Sequence, residues 1–209
     1  MTARLLTLAE NTAGRDFVVS DIHGHFDALD AALAARAFNP QQDRLISVGD
    51  LIDRGPQSPR ALHYLAQPWF FCVRGNHEQA MLDWLNPLLS GAPATVVRDA
   101  ALRHVSFGGD WVLPLLTRAL HPQQPDTREA TQWQQALGAL PLAIEITRKG
   151  ERIGVVHATV PGGDWAQYEN AAPLDEPLAP GELATMWHRR PLDDTPEQRV
   201  RGIDRVYAG

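Results

Sequence analysis

Three short runs carry most of the chemistry available to this chain: Asp21-Ile22-His23-Gly24, Gly49-Asp50-Leu51-Ile52-Asp53-Arg54-Gly55 and Arg74-Gly75-Asn76-His77-Glu78. Their carboxylates, imidazoles and carboxamide are groups that hold divalent cations and move protons. Each run follows directly on an apolar stretch: Phe17-Val18-Val19, then Leu45-Ile46 and Val48, then Phe70-Phe71-Cys72-Val73. Stretches of that length, rich in β-branched and aromatic residues, read as buried strands. Polar, cation-capable side chains therefore fall three times where a strand should end.

The spacing makes the three runs one site. Asp21 to Asp50 and Asp50 to Asn76 are each close to the ~30 residues of a strand–helix–strand unit. Successive right-handed units lay their strands side by side and parallel. The three C-terminal ends then share the sheet edge where open α/β sheets bind ligands. Acids gathered there repel one another unless a cation joins them.

Oxygen and imidazole donors without sulfur suit Mn, Fe or Zn, not Ca or a structural zinc. Asp50, on the middle strand, is the natural bridge between two ions. A bridged pair ~3.5–4 Å apart can clamp a phosphoryl group and bring the pKa of a shared water toward ~7, for direct attack by metal-bound hydroxide. His77 is placed to be the general acid for the leaving oxygen, with Asp53 behind its ring. Arg54 and Arg74 can each fork onto phosphate oxygens.

The elements that must position these groups can be read in order. Residues 4–9 and 16–20 are expected to pair as a hairpin. A helix should follow Gly24 through Ala37, stopped by Asn39-Pro40. Ser58-Pro59 reads as the N-cap and first residue of a helix reaching about Gln67. A third helix should begin near His77, with Met81 and Leu85 inward. Residues 86–140, punctuated by prolines 87, 93, 114, 122 and 125, read as short helices forming a cap, the last with Ala130, Trp133, Leu137 and Leu140 on one face. A hairpin should follow, Leu142–Thr147 and Arg152–His157, placing His157 at a strand end as a fourth polar group. Residues 158–180 read as a long functional loop, residues 181–189 as a helix and Ile203 to Tyr207 as a strand.

The 209 residues, 44% hydrophobic, suit one α/β domain over 1–209 with a real core. A net charge of −6 argues against a nucleic-acid binder. Cys72, the single cysteine, excludes an intrachain disulfide and fits a reducing, cytoplasmic setting. No run reaches membrane-spanning length.

The strings SDIHG, SVGDLIDRGP and VRGNHE resemble the signature of the phosphoprotein phosphatases, a branch of the calcineurin-like metallophosphoesterases, and specifically their small bacterial serine/threonine members. PWFFCVRGNHEQAM, GGDW, LPLAIEI and VVHA extend the likeness over nearly the whole chain. The resemblance implies the family fold, central mixed β-sheets with a βαβαβ core flanked by helices. It implies a first metal on Asp21, His23 and Asp50 and a second on Asp50, Asn76 and His157. It makes His77 the acid with Asp53 behind it, and sets Arg54, Arg74 and Arg189 on phosphate. Two Mn-type ions and phosphoprotein substrates, phosphoserine and phosphothreonine with phosphotyrosine also accepted, come with it. The family carries one more histidine ligand in a Gly-His-Thr motif, and Val206-Tyr207-Ala208-Gly209 looks like the lead-in to it. A truncated chain and weak occupancy of the second metal are therefore expected.

Simpler readings weigh less. His25 reads as structural or exposed, His63, His104, His121 and His188 as surface or satisfied histidines, and Asp193-Asp194 as a solvated face. A cysteine phosphatase would need arginine where Glu78 stands. No GxxxxGK or GxSxG string occurs. Two other functions share the motifs or their remnants: hydrolysis of diadenosine tetraphosphate, and metal-poor binding of phosphoproteins without turnover.

Overall fold

The apolar stretches form strands, but they divide between two sheets. The structure is a computed structural model describing residues 3–171, 173–174, 178, 180–187 and 199–209. The strands are β1 (Leu5–Leu8), β2 (Asp16–Val19), β3 (Arg44–Ser47), β4 (Phe70–Cys72), β5 (Ala143–Arg148), β6 (Glu151–Val156) and β7 (Arg205–Tyr207). The helices are α1 (Phe26–Ala35), α2 (Ala61–Leu65), α3 (Asn76–Leu89), α4 (Ala94–Val105), α5 (Leu113–Ala119), α6 (Arg128–Gly138), α7 (Ala166–Glu169) and α8 (Pro180–Trp187).

The first sheet runs β2-β3-β4, all parallel, joined through α1 and α2 as the spacing predicts. The second runs β1-β5-β6-β7, with an antiparallel β5–β6 pair between parallel ones. Ile46, Val48 and Val73 meet Leu8, Ile144, Ile146, Ile153 and Val155 in an apolar seam between the sheets. Helices cover both outer faces. α1, α3, α4 and α6 bury Phe26, Trp84, Val97 and Trp133 over the first sheet. Trp165 and Tyr168 cover the second, beside Val156. At about 1.5–3 kcal/mol for each large apolar side chain buried, these layers hold the strand ends in register. The expected mixed sheets flanked by helices are what is found.

The first hairpin is not. β1 pairs with β5, in the other sheet from β2. Leu6 and Leu8 reach the seam while Leu5 packs on the far side, so β1 buries both faces only there. Asn11 makes the crossing: its Oδ1 accepts from Ala13 and Gly14 N–H, and its Nδ2 donates to the Gln42 carbonyl. Ser58 also departs from expectation. It lies within a 3₁₀ turn, Ser58–Arg60, and its hydroxyl accepts from the Asp53 N–H at 2.9 Å instead of capping a helix. Pro87 does not end the helix as its punctuation suggests but sits inside the last turn of α3. The segment after His157 carries a 3₁₀ turn at Pro161–Gly163 and then α7, anchored by buried Trp165.

Candidate metal centre

β3 lies between β2 and β4, so its exit loop can bond to both neighbours. The Asp50 carbonyl accepts from Ile22 and His23 N–H, at 3.0 and 2.9 Å, and Gly24 N–H reaches the Leu51 carbonyl at 2.8 Å. On the other side, the Glu78 carboxylate gathers the N–H groups of Asp50, Leu51 and Gly75 at 2.8, 2.8 and 2.9 Å. Only a glycine fits at position 75, where a Cβ would lie 2.3 Å from Asp50 Oδ1. Gly49 is held as closely: it has φ +99°, and a Cβ there would lie 2.7 Å from Gly75 N. His23, Asp50, Asp53 and Arg54 all have positive φ, between 44° and 72°. Non-glycine residues hold that conformation only where surrounding bonds impose it, and here the neighbouring loops do.

Asp50 offers one oxygen to each half of the site. Its Oδ2 lies 3.6 Å from His23 Nε2, and its Oδ1 lies 3.5 Å from His157 Nε2. Ligand atoms of Asp21, Asp50 and His157 fall within 4.8 Å of one another, as do those of His23, Asp50 and His77. Asp21 Oδ2 is also 3.9 Å from His23 Nε2, so Asp21 stands between the two halves. Asn76 Oδ1 lies 2.9 Å from His157 Nε2.

The protons decide what fits there. His157 Nδ1 faces the Val48 carbonyl at 2.8 Å and His23 Nδ1 the Ile52 carbonyl at 3.0 Å. A carbonyl only accepts, so each Nδ1 carries a proton, and the neutral ring presents its Nε2 lone pair to the site. Burial also lowers the His23 pKa, favouring the neutral ring. Lone pairs on imidazole thus face carboxylate and carboxamide oxygens. Such a donor set suits divalent cations, with the Val48 and Ile52 carbonyls orienting the rings.

Arg54 bridges the imidazoles, its guanidinium 2.7 Å from His23 Nε2 and 3.0 Å from His77 Nε2. Behind His77 lies a buried relay. Asp53 Oδ2 accepts from His77 Nδ1 at 2.7 Å and His104 Nε2 at 2.8 Å, and Oδ1 from Trp111 Nε1 at 2.7 Å. Trp84 Nε1 donates to His104 Nδ1 at 3.1 Å, fixing that ring's tautomer. Burial pushes Asp53 up, but the bonds from His104, His77 and Trp111 prevail and hold it at about 2. Burial disfavours a charged His77, yet the Asp53 bond and the charges of Asp50, Asp53 and Glu78 raise it above its usual value.

Arg74 is placed differently from its expected partners. It is 1% exposed, and its guanidinium donates to Gln79 Oε1 and to the Gly138 carbonyl, both at 3.0 Å. These bonds brace the cap. Arg189 lies outside the described residues, with His188, Arg190 and Asp193-Asp194. Gly209 N–H donates to the His157 carbonyl at 2.7 Å, beside Asp21.

Sequence reasoning missed the supports Glu78, His104, Trp84 and Trp111. Glu78 carries a signal, since an acid at the third helical position can reach back to the N–H of the residue before the helix, here Gly75. Burial and the Asp50 charge push Glu78 up to about 7, against the pull of its N–H donors. Glu78→Gln is expected to turn an amide NH₂ against at least one of those donors and cost about 1–3 kcal/mol. Urea unfolding at neutral pH checks it; an unchanged free energy would refute this role for Glu78.

Residues 17–201 match the family described as calcineurin-like phosphoesterase. The chain is 37% identical over 149 residues to serine/threonine-protein phosphatase 2 of Escherichia coli (strain K12), covering 71% of this chain and 60% of that protein. The chain thus spans less than two thirds of that relative's length. It is 44% identical over 68 residues to the symmetrical bis(5'-nucleosyl)-tetraphosphatase of Serratia proteamaculans (strain 568), covering 32% and 24%. Its fold is similar to a protein serine/threonine phosphatase from Saccharomyces cerevisiae, with TM-score 0.55 and 21% identity, covering 88% and 52%.

Proposed function

That the chain belongs to the calcineurin-like phosphoesterase family is the premise from which we propose that it is a divalent-metal-dependent phosphatase of phosphoserine and phosphothreonine in proteins, with phosphotyrosine tolerated. The observation that carries the reading is the pair of carbonyl-fixed imidazoles, His23 and His157, aimed at opposite oxygens of Asp50. Two ions are the expected complement, Mn first and Fe or Zn as alternatives. Phosphoproteins are the proposed partners and the cytoplasm the proposed setting. Among the described residues no helix is long and apolar enough to cross a membrane.

Asp21, His23, Asp50, Asn76 and His157 would hold the ions, which would polarise the phosphoryl group and bring the pKa of the attacking water toward ~7. The rest falls to the protein. Arg54, exposed and forked, exchanges its imidazole contacts for two phosphate oxygens. Its departure frees His77 Nε2 to carry a proton. Asp53 fixes the His77 ring through Nδ1–H and favours the imidazolium, so Nε2 can donate to the leaving oxygen. Arg74 is assigned to the brace between α3 and α6.

The tetraphosphatase match favours a second reading, hydrolysis of diadenosine tetraphosphate. The longer match to the Escherichia coli phosphatase supports the first. Initial rates with Mn separate them. Phosphate should leave a phosphoseryl peptide with kcat/KM at least about tenfold above that for diadenosine tetraphosphate, about 1.4 kcal/mol of preference. The reverse ratio would replace the first reading by the second. Peptide binding without turnover of either substrate would make the chain a binding module.

A further inference from the structure

At the end of the sheets away from the metal centre, basic side chains from separate elements converge on a cleft of about 420 Å³. Arg15 precedes β2, Arg36 follows α1, and Arg148 and Lys149 stand at the β5–β6 turn. The topology puts them there. β2 runs from the cleft toward Asp21, and α1 returns from Phe26 to Arg36. β6 starts at Glu151, opposite Arg148, and leads to His157. At ~3.3 Å per residue that path is roughly 20 Å long.

Arg15 belongs to the walls of the cleft. Its guanidinium donates to Asp43 Oδ2 at 2.6 Å and to the Arg36 and Ala37 carbonyls at 3.1 and 2.8 Å. It also lies 4.8 Å from the centre of the Phe17 ring. The end of α1 is thereby tied to the start of β2, which places Arg36. Asp16 is likewise taken, its two oxygens accepting from Arg44 at 2.7 and 2.8 Å. Glu10 accepts the Lys149 backbone N–H at 3.1 Å. Among the described residues no carboxylate lies within ion-pair distance of the Arg36, Arg148 or Lys149 side chains. A chain of net charge −6 thus gathers three exposed cations around one hollow.

We propose that this cleft binds a small molecule carrying linked phosphate groups, gripped by Arg36, Arg148 and Lys149 above a floor of Arg15 and Phe17. The volume suits a small molecule, whose pockets run ~300–1,000 Å³. The two guanidiniums fork onto phosphoryl oxygens, and Lys149 adds a point charge on a flexible stem. Linked phosphates carry enough charge to meet all three cations within one cleft; a lone carboxylate does not, and an acidic peptide would spread its charges beyond the walls. The site is separate from the metal centre and independent of which phosphorylated substrate is cleaved there.

Isothermal titration of the full chain with tripolyphosphate, without added divalent ion, tests it. Wild type should bind with a Kd below about 1 mM, and the Arg36→Ala/Arg148→Ala/Lys149→Ala variant at least about tenfold more weakly. Arg148→Gln alone should cost about threefold, as for one exposed charge pair. Arg54→Ala, at the metal centre, should shift the Kd by less than about twofold. Circular-dichroism melts establish that each variant is folded. A parallel titration with ATP distinguishes the ligand's source: equal affinity means that the phosphate chain alone is recognised, and tighter binding lost in Phe17→Leu means that a nucleotide is. No binding by wild type, undiminished binding by the triple variant, or a loss that follows Arg54→Ala instead would each overturn the site. Binding of hexaglutamate in preference to tripolyphosphate would overturn it too.

Discussion

Asp50→Asn is expected to lower kcat/KM on the order of 10³-fold or more, the several kcal/mol that metal charge stabilisation supplies. The substitution is mild in every other respect. Asparagine tolerates the positive φ of 53° at this position. Its carbonyl oxygen can still accept the His77 N–H that Asp50 Oδ1 now receives at 3.1 Å. What it lacks is the charge shared between the His23 and His157 halves. Without metal the variant should melt at or above the wild-type temperature, because one of the charges pushing Glu78 up has gone. With Mn the order should invert. An ion that binds only the folded state adds about 2.7 kcal/mol at a hundred times its Kd, and the variant forfeits most of that. Thermal melts across an Mn titration check both halves; an undiminished Mn-dependent rise in the variant would mean that Asp50 is not the shared ligand.

Asp53→Asn should be nearly as damaging, by another route. General acid catalysis contributes about 10²–10⁴-fold, and kcat should fall within that range because His77 loses the carboxylate that orients and charges it. Stability should fall too. Three donors, from His77, His104 and Trp111, now face two carboxylate oxygens. An amide turns its NH₂ against at least one of them, at about 1–3 kcal/mol. The pH dependence has a definite sign. The folded-state pKa of Asp53 is held at about 2, below its ordinary value. The stability due to the carboxylate is therefore full above about pH 4 and is lost as pH falls toward 2. Unfolding free energies of wild type and variant should converge over that interval. A constant gap would place the effect of the substitution outside the ionisation of Asp53.

The three candidate loops can be located from the sequence because each lies at the end of a strand whose apolar run is unambiguous, and their spacing dictates parallel neighbours. His157 was legible for the same reason, after Ile153, Val155 and Val156. The sheet of origin was not. β1 and β2 look alike as short apolar runs, and only the Asn11 bonds and the two-faced burial of Leu5 and Leu8 distinguish their destinations. His104 and Trp111 could not be found from spacing either. They reach Asp53 from the far side of the cap, with no periodicity linking them to it. Arg74 shows the limit of proximity in the chain: although it is adjacent to Gly75, its guanidinium donates to Gly138 at the end of α6.

The division of the site between two sheets also bears on how the protein comes together. β2, β3 and β4 follow one another along the chain, whereas β5 and β6 arrive only after the helical cap and must find β1 near the N-terminus. Neighbouring segments associate faster than segments that close long loops, and synthesis releases the N-terminal part first. Asp21, His23 and Asp50 are thus expected to assemble while His157 is still unplaced. Pulse-labelled hydrogen exchange should find amides of β3 protected before those of β6, and the opposite sequence of events would exclude this route.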